Sequence, residues 1–252
     1  MYHTTGFSSD EITTLCASVA ETVPAPLTRG RKQKLGLFKS IVVTLCYLRR
    51  NHVQQELGEL FGASQSTISR MISRFIPILG ELLRDWVPTV DDLDPTVQLI
   101  IDGTLLPCSS WSDHPENFSG KHHTTGLNVQ VACTLNGRLA WVSDPMPGRT
   151  HDTKAIRASG FLDIADPPAH LGDKGYIGLS MITPLRKQPN QPMHPHQKAF
   201  NTSVNKIRYQ IERTIANLKT WRTLHTDYRR PLRTFHETIS AIIALEFYRM
   251  SL

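Results

Sequence analysis

The hydrophobic period of this chain changes near residue 90, and the change demands two kinds of structure. Before it, apolar side chains recur every three or four residues: Ile12, Leu15 and Val19 behind the capping cluster Ser8-Ser9-Asp10, then Phe38, Ile41, Val42, Leu45 and Leu48 ahead of Arg49-Arg50. That spacing lines one face of a helix, and paired arginines suit a helix C-terminus. Pro88 and Asp91-Asp92-Leu93-Asp94-Pro95 mark the boundary. After it, Val97, Leu99, Ile100 and Ile101 make the near-continuous apolar run of a strand buried on both faces, with Asp102 at its end. Leu127, Val129, Val131, Cys133 and Leu135 alternate with Asn128, Gln130 and Thr134 at the strand period of two. Asn136-Gly137 gives a two-residue hairpin turn before Leu139, Trp141 and Val142. These strands are predicted to be consecutive and antiparallel. A helix near Asp152 follows, then a short strand ending at Leu171-Gly172-Asp173 and a Pro- and Gln-rich loop over 187–197. A long helix from about Phe200 to Trp221 and a last one from about Leu232 to Tyr248 end the chain. The reading is α/β: a small all-helical domain over 1–90, then a mixed sheet flanked by helices over 91–252.

Between Val53 and Arg70 the helical part has the form of a helix-turn-helix. Gly62 can take the left-handed conformation that closes the first helix, Ser64 can cap the second, and Ile68, Ile72 and Phe75 bury it. Gln65, Ser66, Thr67, Arg70 and Arg74 are then placed to meet base edges and phosphates from the major groove. A plain helical hairpin inside a bundle would carry the same local pattern.

With 252 residues the chain can bury one large core, or a medium one with a smaller companion. No apolar stretch nears the roughly 18–20 residues needed to span a bilayer. Met1-Tyr2-His3-Thr4-Thr5 lacks the basic-then-apolar start of a signal peptide, so a cytoplasmic, nucleoid-associated protein is expected. Cys16, Cys46, Cys108 and Cys133 contain no Cys-x-x-Cys pair and read as buried free thiols rather than zinc ligands. The net charge of +6 is unevenly spread. Residues 1–90 hold 10 Lys and Arg against 7 Asp and Glu, residues 91–173 hold 5 against 11, and residues 174–252 hold 13 against 4. An acidic middle able to collect cations thus lies between basic flanks able to hold a polyanion.

Three carboxylates fall where a mixed sheet can gather them: Asp102 before Gly103, Asp173 before Lys174-Gly175-Tyr176, and Glu212 in mid-helix. Phosphoryl transfer on DNA needs an activated attacking oxygen and a stabilised leaving one, and Mg²⁺ ions held by carboxylates do both. At about 100° per residue, Val204, Ile207, Ile211, Ile215 and Leu218 form the core face of the long helix. Arg208, Glu212, Ala216 and Lys219 lie at its rim, where Arg208 and Lys219 could meet phosphate. A solvated Arg208–Glu212 pair would explain the same spacing. No Gly-x-x-x-x-Gly-Lys-Ser/Thr motif is present, so ATP is not implied.

Four segments carry a resemblance: Ile101-Asp102-Gly103-Thr104, Pro147-Gly148-Arg149-Thr150-His151-Asp152, Gly172-Asp173-Lys174-Gly175-Tyr176 and the helix around Glu212. In that order, behind a helix-turn-helix, they resemble the DDE-type transposases of the bacterial insertion-sequence-five group and the related Harbinger nucleases, across nearly the whole chain. The resemblance implies a ribonuclease-H-like catalytic domain with Asp102, Asp173 and Glu212 as catalytic and metal-binding triad. It implies Mg²⁺ as cofactor, two ions, with Mn²⁺ able to substitute. Asp152 is then either an accessory metal ligand or a helix N-cap. Lys174, Arg208 and Lys219 join the recognition-helix residues as expected DNA contacts. His122 and His123 read as exposed strand-edge residues or as contacts to DNA or metal; Trp221, Tyr228, Arg229 and Arg230 are further candidates to grip DNA. The implied function is a transposase that binds double-stranded DNA at the ends of its own element, cleaves them and joins them to target DNA, with a homodimer on DNA. The alternatives are a catalytically silent DNA-binding protein and a stand-alone nuclease.

Overall fold

The apolar spacing of the first part becomes helix at each expected place. In the computed structural model, which describes residues 1–22, 35–109, 113–163 and 168–252, α1 (Tyr2–Thr5) precedes α2 (Ser9–Thr22), α3 (Leu37–Arg50), α4 (Gln54–Phe61) and α5 (Gln65–Leu82). Ser8 opens α2 with a reciprocal cap: its N–H donates to Glu11 Oε2 at 2.6 Å and its Oγ accepts from the Glu11 N–H at 3.3 Å. The apolar stripe expected on α3 is wider than a stripe, since every residue from Ser40 to Leu48 is buried. A helix enclosed all round is the centre of its bundle. No helix among the described residues is long and apolar enough to cross a membrane.

The compact units are residues 1–87 with 219–252, and residues 88–218. The C-terminal stretch expected within 91–252 therefore belongs with the N-terminal helices. Its helix α8 (Phe235–Ser251) packs along α5, where Ala241 meets Gly80. Ile239, Ala241, Ile242 and Leu245 are fully enclosed, and a helix so apolar needs other helices to cover it. Trp221 donates from Nε1 to Glu246 Oε2 at 2.8 Å, and Arg249 Nη2 approaches the same carboxylate at 2.6 Å. Tyr228 stacks on Phe235 with ring centroids 4.3 Å apart. Trp221 and Tyr228 are thus core residues rather than surface grips for DNA.

In the second unit β1 (Leu99–Pro107) runs antiparallel to β3 (Thr124–Thr134), from Leu99 opposite Thr134 to Pro107 opposite Gly126. β3 also pairs, always antiparallel, with β2 (Phe118–Ser119), β4 (Leu139–Val142) and β5 (Met146–Pro147). The β3–β4 hairpin turns at Asn136-Gly137, as expected. β1 runs further than expected because Leu105 and Leu106 resume its apolar run, so Asp102 lies inside the strand rather than at its end. Ile100 and Leu171 form a parallel bridge, as do Leu171 and Ile182, which makes the arrangement mixed. Leu99, Ile101, Ala132 and Trp141 form one core cluster with Ile156 of α6 (Asp152–Ala158), Phe161, Tyr176 and Leu179. α7 (Pro195–Leu218) packs on β1 and β3. Its buried residues are Val204, Ile211, Thr214 and Leu218. The expected core face is therefore rotated: Ile207 is exposed, and Thr214 is inside because its hydroxyl donates to Gly137 O at 2.9 Å.

Candidate active site and nucleic-acid interface

Strand alternation turns Asp102 and the position of Gly103 to opposite faces of β1. On one face, Asp102 Oδ2 accepts from Arg208 Nη2 of α7 at 3.0 Å, with the two side chains only 17% and 12% exposed. Asp102 Oδ1 accepts from the Gly103 N–H at 2.9 Å. Burial pushes the Asp102 pKa up to about 6; Arg208 opposes the rise, and Asp173 and Asp152 add to it by repulsion. Arg208 Nε is buried and has no hydrogen-bond partner among the described residues.

Asp173 opens the turn Lys174–Tyr176, where its Oδ1 accepts from the Gly175 N–H at 2.6 Å. Lys174 is exposed beside it, and Glu212 is exposed on α7, one turn past Arg208. Asp102 and Asp173 lie within electrostatic range of each other. Arg208 takes Asp102 rather than Glu212 as its ion-pair partner. Among the described residues no three His, Cys, Asp or Glu side chains cluster closely enough to hold a metal ion. Lys219 is not on the rim expected for it, because α7 ends at Leu218, and burial lowers its pKa.

On the other face, Asp152 does not serve as the N-cap of α6: His151 holds that position and the Asp152 side chain turns to the sheet. Its Oδ1 accepts from Asn128 Nδ2 at 3.1 Å and Gln130 Nε2 at 3.4 Å, and its Oδ2 from Lys121 Nζ at 3.1 Å. Gly103 permits this approach. A β-carbon there would overlap Asp152 Oδ1 and stand 2.9 Å from Gln130 Nε2. Behind Gln130, the Tyr176 hydroxyl donates to Gln130 Oε1 at 2.5 Å, with both residues fully buried. A cleft of about 230 Å³ opens in front, its lining including Lys121, His122, Arg149, Thr150, His151 and Asp152. His123, exposed next to it, holds a left-handed backbone with φ of 51°.

The sequence reading misses the part that Lys121, Asn128, Gln130 and Tyr176 play around Asp152. Alternation in β3 reads Asn128 and Gln130 as a wet face, but both faces of β3 are covered. Buried amides must find partners inside, so polar side chains in a doubly covered strand are the signal.

In the helical unit Gly62 closes α4 at φ 64°, and Ser64 Oγ accepts from the Thr67 N–H at 3.3 Å to start α5. Ile68, Ile72 and Phe75 are buried, whereas Gln65, Ser66 and Arg70 are exposed and Thr67 and Arg74 half-buried. Arg70 Nε folds back on Ser66 O at 3.2 Å, and Arg230 Nη2 donates to Ser73 Oγ at 2.9 Å. The same helix thus presents amides, hydroxyls and guanidinium groups along one side. The basic, Gly-containing segment Thr28-Arg29-Gly30-Arg31-Lys32-Gln33-Lys34, which the sequence reads as a link between helices, lies outside the described residues.

Residues 101–246 match the family described as DDE superfamily endonuclease, and residues 33–85 match the helix-turn-helix of DDE superfamily endonuclease. Two relatives are described as transposases for insertion sequence elements. That of IS112 from Streptomyces albus G is 31% identical over 78% of this chain and 74% of its own length. That of IS702 from Microchaete diplosiphon is 24% identical over 88% of this chain and 84% of its own length. No solved structure matches the chain.

Proposed function

The chain belongs to the DDE superfamily endonucleases, and from that premise we propose a transposase that holds the ends of its own element with α4 and α5 and cleaves them at Asp102, Asp173 and Glu212. The observation that carries the reading is Asp102, a carboxylate inside β1, desolvated, repelled by Asp173 and balanced by Arg208. The hard, desolvated oxygens of Asp102, with Asp173 in electrostatic range, suit a divalent cation such as Mg²⁺, with Mn²⁺ as substitute; the reading requires Glu212, which does not cluster with them in the free chain, to join them if two ions are to be held. Bound there, the cations would supply the Lewis acidity that phosphoryl transfer requires. Arg208 and Lys174 would orient phosphate oxygens at the same face.

The antiparallel hairpin beside β1, with the parallel bridge at Leu171, supports a ribonuclease-H-like catalytic unit over 88–218, of the insertion-sequence-five and Harbinger kind. Gln65, Ser66, Thr67, Arg70 and Arg74 would read the element end. Water cleaves first, and the freed 3′-hydroxyl then attacks target DNA. ATP has no part in the cycle, and a homodimer on DNA would bring two ends together. The test is a gel assay on one labelled element end, taken from the DNA flanking the coding sequence. A shifted band that is nicked only with Mg²⁺ is expected. A shift with no nick under any divalent cation would favour a DNA-binding protein that does not cut.

A further inference from the structure

Both carboxylate oxygens of Asp152 are already engaged within the protein. Oδ1 meets Asn128 and Gln130, and Oδ2 meets Lys121 at 3.1 Å. The amides are themselves fixed: Gln130 Nε2 donates to Asn128 Oδ1 at 3.0 Å, Asn128 Nδ2 to Thr150 O at 3.0 Å, and Tyr176 holds Gln130 from behind. Tyr176 stands three residues beyond Asp173 and Gln130 lies opposite Gly103, next to Asp102. A buried relay thus ties the segments bearing Asp102, Asp152 and Asp173 into one frame. Its outer end is a cation. Lys121 is 60% exposed, so its ammonium is anchored on one side and open on the other. Desolvation pulls its pKa down, but Asp152, with Asp173 and Asp102, outweighs that and keeps it above the usual lysine value.

An exposed lysine normally samples many rotamers, and an exposed ion pair on its own contributes little. The rigid mount of Asp152 therefore makes sense as a positioning device. Resting on the reading of the chain as a DNA-cleaving enzyme, we propose that Lys121 binds the phosphodiester adjacent to the scissile one. Asp152 acts as the positioning residue that aims it, rather than as a metal ligand. A phosphodiester approaching three aspartates is repelled by them, and a fixed ammonium over the same edge offsets that repulsion. The cleft in front of Lys121, with Arg149 on its wall, receives the neighbouring nucleotide.

The test is a double-mutant cycle on Mg²⁺-dependent nicking by the full chain, alongside Mn²⁺ titration followed by electron paramagnetic resonance. Lys121→Ala should lower kcat by about 10–100-fold, the scale of a misplaced reacting group. Asp152→Asn should give a smaller loss of the same kind, with Mn²⁺ affinity unchanged. The double variant should be no worse than Lys121→Ala, since the two side chains act as a unit, and Lys121→Arg should restore most of the rate. Multiplicative losses, full activity in Lys121→Ala, or loss of Mn²⁺ binding in Asp152→Asn would each overturn the inference alone. A wild-type chain that never nicks DNA would overturn the enzyme reading and this inference together.

Discussion

At the residue scale, the second face of the site depends on an absent side chain. Gly103→Ala would drive a β-carbon into Asp152 Oδ1 and crowd Gln130 Nε2, neither of which can retreat without breaking the relay. A loss of about 1–3 kcal/mol is expected in urea denaturation, the usual cost of overpacking. Asp102 makes a second prediction. Its folded pKa, about 6, lies above the ordinary 3.8, so the folded chain keeps a proton that the unfolded chain releases. In EDTA its contribution to stability therefore falls as pH rises from about 4 to about 6, then levels off. Asp102→Asn should remove that slope from a series of denaturation midpoints; an unchanged slope would assign it to other groups. That Asp102 and Asp173 come within electrostatic range of each other was legible from two carboxylates beside glycines in the sheet part of the chain. The pairing of Asp102 with Arg208 was not, because helical spacing alone puts Arg208 within reach of Glu212 equally well.

At the scale of elements, period and punctuation located α2 to α5, β1, β3, β4, α6, α7 and α8, but not the short α1, β2 and β5, and the strand expected to end at Asp173 is an isolated bridge at Leu171. Two of the located elements also differ in detail. β1 continues past Asp102 because its partner β3 offers register through Gly126, which the polar Asp102-Gly103 pair conceals in sequence. α7 is rotated because Thr214 counts as polar in a wheel, yet its hydroxyl is satisfied locally and buries. α8 carries its own prediction. Glu246 is 5% exposed and held by Arg249 and Trp221. Arg249→Met leaves that carboxylate buried with a single neutral donor, so destabilisation of about 3–5 kcal/mol is expected by urea melt. A loss under 1 kcal/mol would mean that water reaches the pair.

For the molecule as a whole, charge distribution was the coarse guide, and connectivity corrects it. The acidic middle lies within the sheet unit, but the basic last third is divided between the two units at residue 218. The helical unit is closed by residues 219–252, which no local motif announces, because covering an apolar helix is a tertiary matter. A chain ending at residue 218 should lose end binding and the helical signal of 1–87, although the residues matched as helix-turn-helix, 33–85, remain intact. Circular dichroism with a gel shift checks this, and retained binding would show that the helices stand without α8.

The central claim is that carboxylates on the face of Asp102 cut DNA. Its most direct test measures nicking of the labelled element end by wild type, Asp102→Asn and Glu212→Gln in Mg²⁺, with binding followed in the same lanes. Wild type should nick, and both variants should bind the end while cleavage falls below detection. Cleavage at the wild-type rate in both variants would contradict the account.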